Sequence, residues 1–255
     1  MFMKRMLFAV AAGLLALSLD ASAPAWASES DDAAVAYARG DYATAMRLWR
    51  PHAEQGEAFA QFAVGEMYEY GLGVPQDYAE AMRWYRKAAE QGERLAECNL
   101  GLMYYLGRGT PRDYSEAMNW LGRAAEHGDP LAQGYLGSMY ASGEGVPRDY
   151  VEAMNWLGRA AAQGDPRAQG YLGSMYENGA GIPQDYVQAA MWFNLAAANF
   201  FSAAKFDDSK RALADRDRVA SKMTAEQIKE AKKLAREWKP AREPKPSPKT
   251  DGGEN

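Results

Sequence analysis

Cysteine and histidine are nearly missing from this chain. One cysteine, Cys98, in 255 residues excludes an intramolecular disulfide framework and any zinc or iron–sulfur site built on several thiolates. Two histidines, His52 and His127, leave most metal and acid–base constellations without their usual parts. Long apolar runs are also lacking. Residues 7–17, apolar apart from Gly13, form a stretch of about 11, short of the ~20 that a bilayer-crossing helix needs. What is present suits a packed, mildly acidic protein: 47% hydrophobic, 25% charged, 12% aromatic, formal net charge -5. That composition excludes a chain disordered throughout.

The first 27 residues read as an export signal. Lys4 and Arg5 precede the apolar stretch, and Ala25-Trp26-Ala27 places small residues around one variable position. Cleavage is expected after Ala27. The mature chain, residues 28–255, is expected in the periplasm or secreted, with no integral membrane segment. A lipoprotein would need a cysteine at the cleavage point, and Cys98 lies far downstream.

The body repeats with a period of 36. Asp77, Asp113, Asp149 and Asp185 are each followed by tyrosine. Trp84, Trp120, Trp156 and Trp192 keep the same spacing, as do Gly65, Gly101, Gly137 and Gly173. A weaker copy runs through Asp41, Tyr42, Ala45 and Gly56, with Leu48 in the tryptophan column. A fixed period of this length signals a stacked array of supersecondary units.

Each unit reads as two helices. In the second copy Ala96, Leu100, Met103 and Tyr104 share one helical face, and Gly101 admits a close neighbour. Gly107 and Gly109, then Pro111, turn the chain. Asp113 is placed as an N-cap, with Glu116 completing a capping box; Asp77 with Glu80, Asp149 with Glu152 and Asp185 with Gln188 repeat the pairing. Tyr114, Ala117, Trp120, Leu121 and Ala124 form the packing side of the second helix, and Gly128 stops it. In the fourth copy Phe200 stands where that glycine belongs, so regular repetition is expected to end there. The predicted fold is all-α: a right-handed α-solenoid of antiparallel helix pairs over residues 28–200, capping helices over 201–238, and a disordered Pro/Lys-rich tail over 239–255. Thr224 with Gln227 opens the capping helix that runs to Trp238.

These residues resemble the Sel-one-like repeat (SLR) family, relatives of tetratricopeptide repeats. Leu100-Gly101, Tyr104, Asp113-Tyr114, Ala117, Trp120, Ala124-Ala125 and Gly128 match its pattern, and the other copies do likewise, over roughly residues 33–200. Some secreted relatives carry a cysteine pair in every repeat, which this chain lacks. The resemblance implies a non-enzymatic scaffold or regulator that holds a protein or peptide in a concave groove lined by the first helix of each pair. Phe62, Glu66, Tyr70, Leu102, Tyr105, Leu106, Ser138, Ser142, Ser174 and Asn178 are then the candidate groove residues. The alternative reading of Leu102 and Leu106 is that they pack against the next helix.

Other chemistries have little support. The Gly-x-Gly elements lack a third glycine, a following Gly-Lys-Ser/Thr and a preceding strand, so phosphate cradles are not indicated. No alternating Asp-x-Asp loop exists for calcium, and no cofactor is expected. Ser202 and Lys205 match a serine–lysine hydrolase motif without its companion elements. The array between residues 28 and 204 carries 13 basic and 23 acidic residues, which argues against nucleic acid. Recognition of envelope glycan or peptidoglycan, with Tyr70 and Tyr105 as stacking surfaces, is the alternative to a protein partner.

Overall fold

A computed structural model describes residues 25–239. The remaining residues of the predicted signal and tail lie outside that range. Among the described residues there are twelve helices and no strand: α1 (Ala25–Ala38), α2 (Tyr42–Glu54), α3 (Ala58–Tyr70), α4 (Tyr78–Glu90), α5 (Arg94–Leu106), α6 (Tyr114–Glu126), α7 (Pro130–Ser142), α8 (Tyr150–Ala162), α9 (Pro166–Asn178), α10 (Tyr186–Ser202), α11 (Phe206–Ala220) and α12 (Ala225–Glu237). They belong to two compact units, divided between Ala153 and Met154.

In the first unit each helix packs on the next in chain order, α1 through α7. The turns are built as the sequence predicts. Gly107 closes α5 in the left-handed conformation at φ 68°, and its amide is held by the carbonyl of Met103. Gly109 also has positive φ, and a Cβ there would stand 2.6 Å from the Tyr78 carbonyl oxygen. The second glycine of the turn therefore serves conformation and also lets the turn sit directly on the start of α4.

The aspartate column caps the second helices. Asp113 accepts from the amides of Ser115 and Glu116 at 2.9 and 3.1 Å, and Asp77, Asp149 and Asp185 repeat the geometry. The expected capping boxes do not form there. The amide that Glu116 was to bind belongs to Asp113 itself and donates instead to the Tyr104 carbonyl at 3.1 Å; Asp77, Asp149 and Asp185 donate likewise to Tyr68, Tyr140 and Tyr176. With that donor satisfied, Glu80 turns to Arg83 and Glu116 accepts from the Trp120 indole. At Thr224 and Gln227 both halves of the predicted box are present.

The glycine column inside the first helices admits one bulky residue from the second. A Cβ on Gly101 would lie 2.7 Å from Cγ of Leu121 and 2.9 Å from its backbone nitrogen; Gly65 faces Tyr85 and Gly173 faces Phe193 in the same way. Fully burying a residue such as Leu121 contributes about 1.5–3 kcal/mol, more than the ~1 kcal/mol that a mid-helix glycine costs. At the N-terminal end Trp49, fully buried, fills the column of Tyr85 and Leu121. It begins an aromatic chain with Tyr37 and Phe59, which continues through Phe62 to Tyr85. The tryptophan column proper is largely core, Trp84 and Trp120 being 8% and 7% exposed, and Lys87 and Arg123 lay their cations over these rings at 4.3 and 4.7 Å.

A second ladder joins positions thirty apart. Gln61 donates to the Ala53 carbonyl and accepts from Gln91. In the second unit Gln169 donates to Ala161 and accepts from Asn199. The second copy replaces both amides with ionisable groups: the buried Glu97 meets His127 at 3.1 Å and Arg123 at 2.7 Å. Glutamate has no donor for the carbonyl, and Arg123 supplies one to Ala89 at 3.2 Å.

In the second unit α10 packs against α9, α11 and α12. Val219 and Ala231, from α11 and α12, complete a core with Ala189, Ala190 and Phe193. The helix α10 has 17 residues where its counterparts have 13, and α11 begins at Phe206 instead of position 202, where the period would place the next helix.

Candidate partner-binding face

The structure divides the expected groove residues. Phe62 and Leu102 are 2% and 7% exposed, Glu66 2% and Ser138 7%, so all four belong to the interior and are not available to a ligand. The reason is packing on several sides. Every residue from Ala60 to Met67 in α3 and from Ala96 to Tyr104 in α5 is buried, because a first helix is flanked by second helices before and after it in the chain. Leu102 thus follows its alternative reading. Leu106, 40% exposed, does not.

Solvent reaches these helices at the last turn. Tyr70 and Tyr105 are half-buried, and Ser142 is exposed. Burial, then the neighbouring Glu69 and Glu66 carboxylates, pushes the Tyr70 phenol well above its usual range. Tyr105 donates to Glu144 at 2.9 Å and packs edge-on to Tyr135 at 5.3 Å. These groups bind the first unit together: the residue between the two glycines of a turn reaches back 39 positions, Glu144 to Tyr105 and Arg108 to Glu69. Tyr85 completes the Glu69 site, donating to the other carboxylate oxygen at 2.8 Å.

In the second unit Asn178 is exposed, while Ser174 is half-buried and lines a cleft of about 440 Å³. The cleft lies between α9 and α11, with Phe193 and Phe200 of α10 also in its wall. Arg167, Gly170 and Tyr171 reach it from α9, and Asp208, Arg211 and Asp215 from α11. Tyr171 is 48% exposed. No atom beyond its local neighbours lies within 4 Å of where a Gly170 Cβ would be, whereas Phe62 and Cys98 fill the same column as core residues in the first unit. Sequence reasoning missed Arg167, Tyr171 and Arg211. The usable signals were the glycine at 170 and the loss of the stop glycine at Phe200, after which α11 starts about one turn late.

Another cleft, of about 610 Å³, lies along α4. Its cations are already engaged: Arg83 with Glu80, Lys87 over Trp84, and Arg86 with the Tyr104 hydroxyl.

The remaining chemical candidates have structural roles. The Ser202 hydroxyl donates to the Ala198 carbonyl at 3.0 Å rather than to Lys205. His52 is buried with Nδ1 2.9 Å from Glu57, and Cys98 is fully buried. Among the described residues no group of three or more His, Cys, Asp or Glu is placed to hold a metal ion, and no helix is long and apolar enough to cross a membrane.

A Sel1 repeat family model matches residues 58–93, 94–129, 130–165 and 166–199. Among solved structures, a protective antigen of uropathogenic Escherichia coli strains, described as displaying an SLR fold, is 35% identical with a TM-score of 0.69; the match covers 75% of this chain and 40% of the antigen. A Sel1 repeat protein from Oxalobacter formigenes is 26% identical with a TM-score of 0.64, covering 81% of this chain and 98% of that one. This chain thus spans less than half of the antigen's length. No curated protein matches the sequence.

Proposed function

Because the chain belongs to the Sel1 repeat family, whose helical repeats are scaffolds for protein–protein contact, we propose that it is a non-enzymatic binding protein of the bacterial envelope, holding a protein or peptide partner in the α9–α11 cleft. The observation that carries this reading is the cleft itself: an exposed aromatic, Tyr171, set among charges of both signs beside an unfilled position at Gly170. Apolar contact bordered by polar groups is the usual composition of a recognition patch. The envelope location rests on Lys4, Arg5, the apolar residues 7–17 and Ala25-Trp26-Ala27.

The test is a photocrosslinking amino acid placed at position 171 of the full chain in its bacterial host, with position 83 as an exposed control. Adducts to one partner from 171 and none from 83 support the reading. Equal labelling at both positions rejects it, and adducts to glycan alone move the assignment to envelope polysaccharide. N-terminal sequencing of the periplasmic protein should begin at Ser28.

A further inference from the structure

The capping helix α12 keeps its charges and its apolar residues in separate sectors. Ala231 is buried against Ala189, Ala190 and Phe193 of α10, and Trp238 meets the Trp192 ring at 6.2 Å. Ile228, Leu234 and Ala235, half-buried, complete this packed side. With 3.6 residues per turn, Lys229, Lys232, Lys233 and Arg236 fall within one arc of about 100° opposite it. Glu226, Glu230 and Glu237 lie together along one flank of that arc. All seven charged residues are exposed. We propose that the basic arc of α12 is a docking surface for an anionic phospholipid bilayer, an inference independent of the α9–α11 cleft.

The cations of the arc are available. Lys233 stands 3.9 Å from Glu230, beyond hydrogen-bonding distance. Arg236 donates through Nε to the Lys232 carbonyl at 3.2 Å, which leaves its charge uncompensated. Lys229, Lys232 and Arg236 have no carboxylate partner among the described residues. The helix beneath, α10, carries no charged residue at all. On α11 the acids are engaged elsewhere: Asp215 with Arg218, Asp217 with Arg216, and Asp207 and Asp208 near Lys210 and Arg211. Lys222, in the turn before α12, is held by the buried Glu177 and is not counted. With Lys239 the surface has five cations against three carboxylates, and the sequence onward to Lys249 adds Arg242, Lys245 and Lys249 against Glu243.

The form of this surface favours lipid over an acidic peptide. Three of the four cations in the arc are lysines, flexible point charges without the planar fork that recognises a single carboxylate. No residue of α12 lines either cleft described above. A ridge of long cationic side chains without a pocket suits a plane of headgroup charge, to which each nearby cation adds attraction. The charge of the rest of the chain makes the inference restrictive. Residues 28–204 have an excess of ten acidic residues, which an anionic surface repels, so attachment would report a local patch and not the whole protein.

Cosedimentation of the full chain, as exported by its bacterial host, with phosphatidylcholine vesicles and with vesicles containing phosphatidylglycerol tests this. Binding to the anionic vesicles is expected to be at least about tenfold tighter than to the neutral ones and to weaken with added salt. Lys232→Gln with Arg236→Gln should remove the preference, Glu230→Gln should strengthen it, and Arg83→Gln, an exposed arginine of the other unit, should leave it intact. Circular dichroism checks that each variant folds. Equal binding to both vesicles, binding to neither, or binding indifferent to the Lys232 and Arg236 changes overturns the proposal. So does a preference lost only when residues 240–255 are removed, which would assign it to that segment. Soluble polyglutamate bound through Lys232 and Arg236 without any vesicle binding would replace lipid with an acidic protein partner. Crosslinking at position 171 decides the cleft reading whichever way the vesicles answer.

Discussion

Nδ1 of His127 stands 3.1 Å from Oε2 of Glu97, thirty residues earlier, where other copies join two amides. Glu97 is fully buried while the His127 side chain is 54% exposed and that of Arg123 40%. The two halves of the cluster therefore respond differently to loss. Removing the cations strands a buried carboxylate, at a cost on the order of 3 kcal/mol; removing the carboxylate leaves cations that water can solvate. Glu97→Gln should change stability by less than about 1 kcal/mol, and Arg123→Met with His127→Leu should cost about 3 kcal/mol. Adding Glu97→Gln to that pair should recover most of the loss. Urea denaturation measures all three, and equal costs for the first two would contradict the account.

Glycine to alanine should have opposite signs at two helical sites. Gly101→Ala puts a methyl 2.7 Å from Leu121 and 2.9 Å from its backbone, so destabilisation of about 1–3 kcal/mol is expected. Gly122, in the middle of α6, has nothing within 4 Å of a new Cβ, and Gly122→Ala should stabilise by about 0.5–1 kcal/mol through helix propensity. Thermal midpoints moving in the same direction would refute the packing argument.

The caps separate in the same manner. Asp77→Ala removes the acceptor for two amides, at 2.9 and 3.0 Å, and should cost about 1 kcal/mol. Glu80→Ala removes only a surface pair with Arg83, worth about 0.3–0.5 kcal/mol. A functioning capping box at this site would show instead as comparable losses for the two variants.

Burial holds the Glu69 carboxyl above its ordinary value of 4.5, against the lowering effect of the Tyr85 hydrogen bond and of Arg108. The folded state therefore keeps the proton to higher pH than the unfolded chain does. Stability from this group is fully present below pH 4.5 and is lost as pH rises through the raised value. Stability measured against pH should fall for wild type relative to Glu69→Gln over that interval. Arg108→Met, which removes the countercharge 3.4 Å away, should steepen the fall; a flat difference between wild type and Glu69→Gln would exclude the titration.

What the sequence alone determined is local and periodic. Helix pairs, aspartate caps, glycine turns and the close approach at Gly101 follow from residue types at fixed spacing, because each depends on φ, on one hydrogen bond or on the missing Cβ. The end of regular repetition was legible at Phe200 for the same reason. What only the tertiary structure decided is how many sides of each helix are covered. Periodicity tells which residues share a face, but Phe62, Leu102 and Ser138 are interior because neighbouring helices flank that face too, a fact no spacing within one helix contains. The pairs at thirty and thirty-nine positions, Glu97 with His127 and Glu69 with Arg108, likewise arise from stacking, as does the meeting of Arg167 and Tyr171 on α9 with Arg211 on α11, where the late start of α11 sets the helices that face each other.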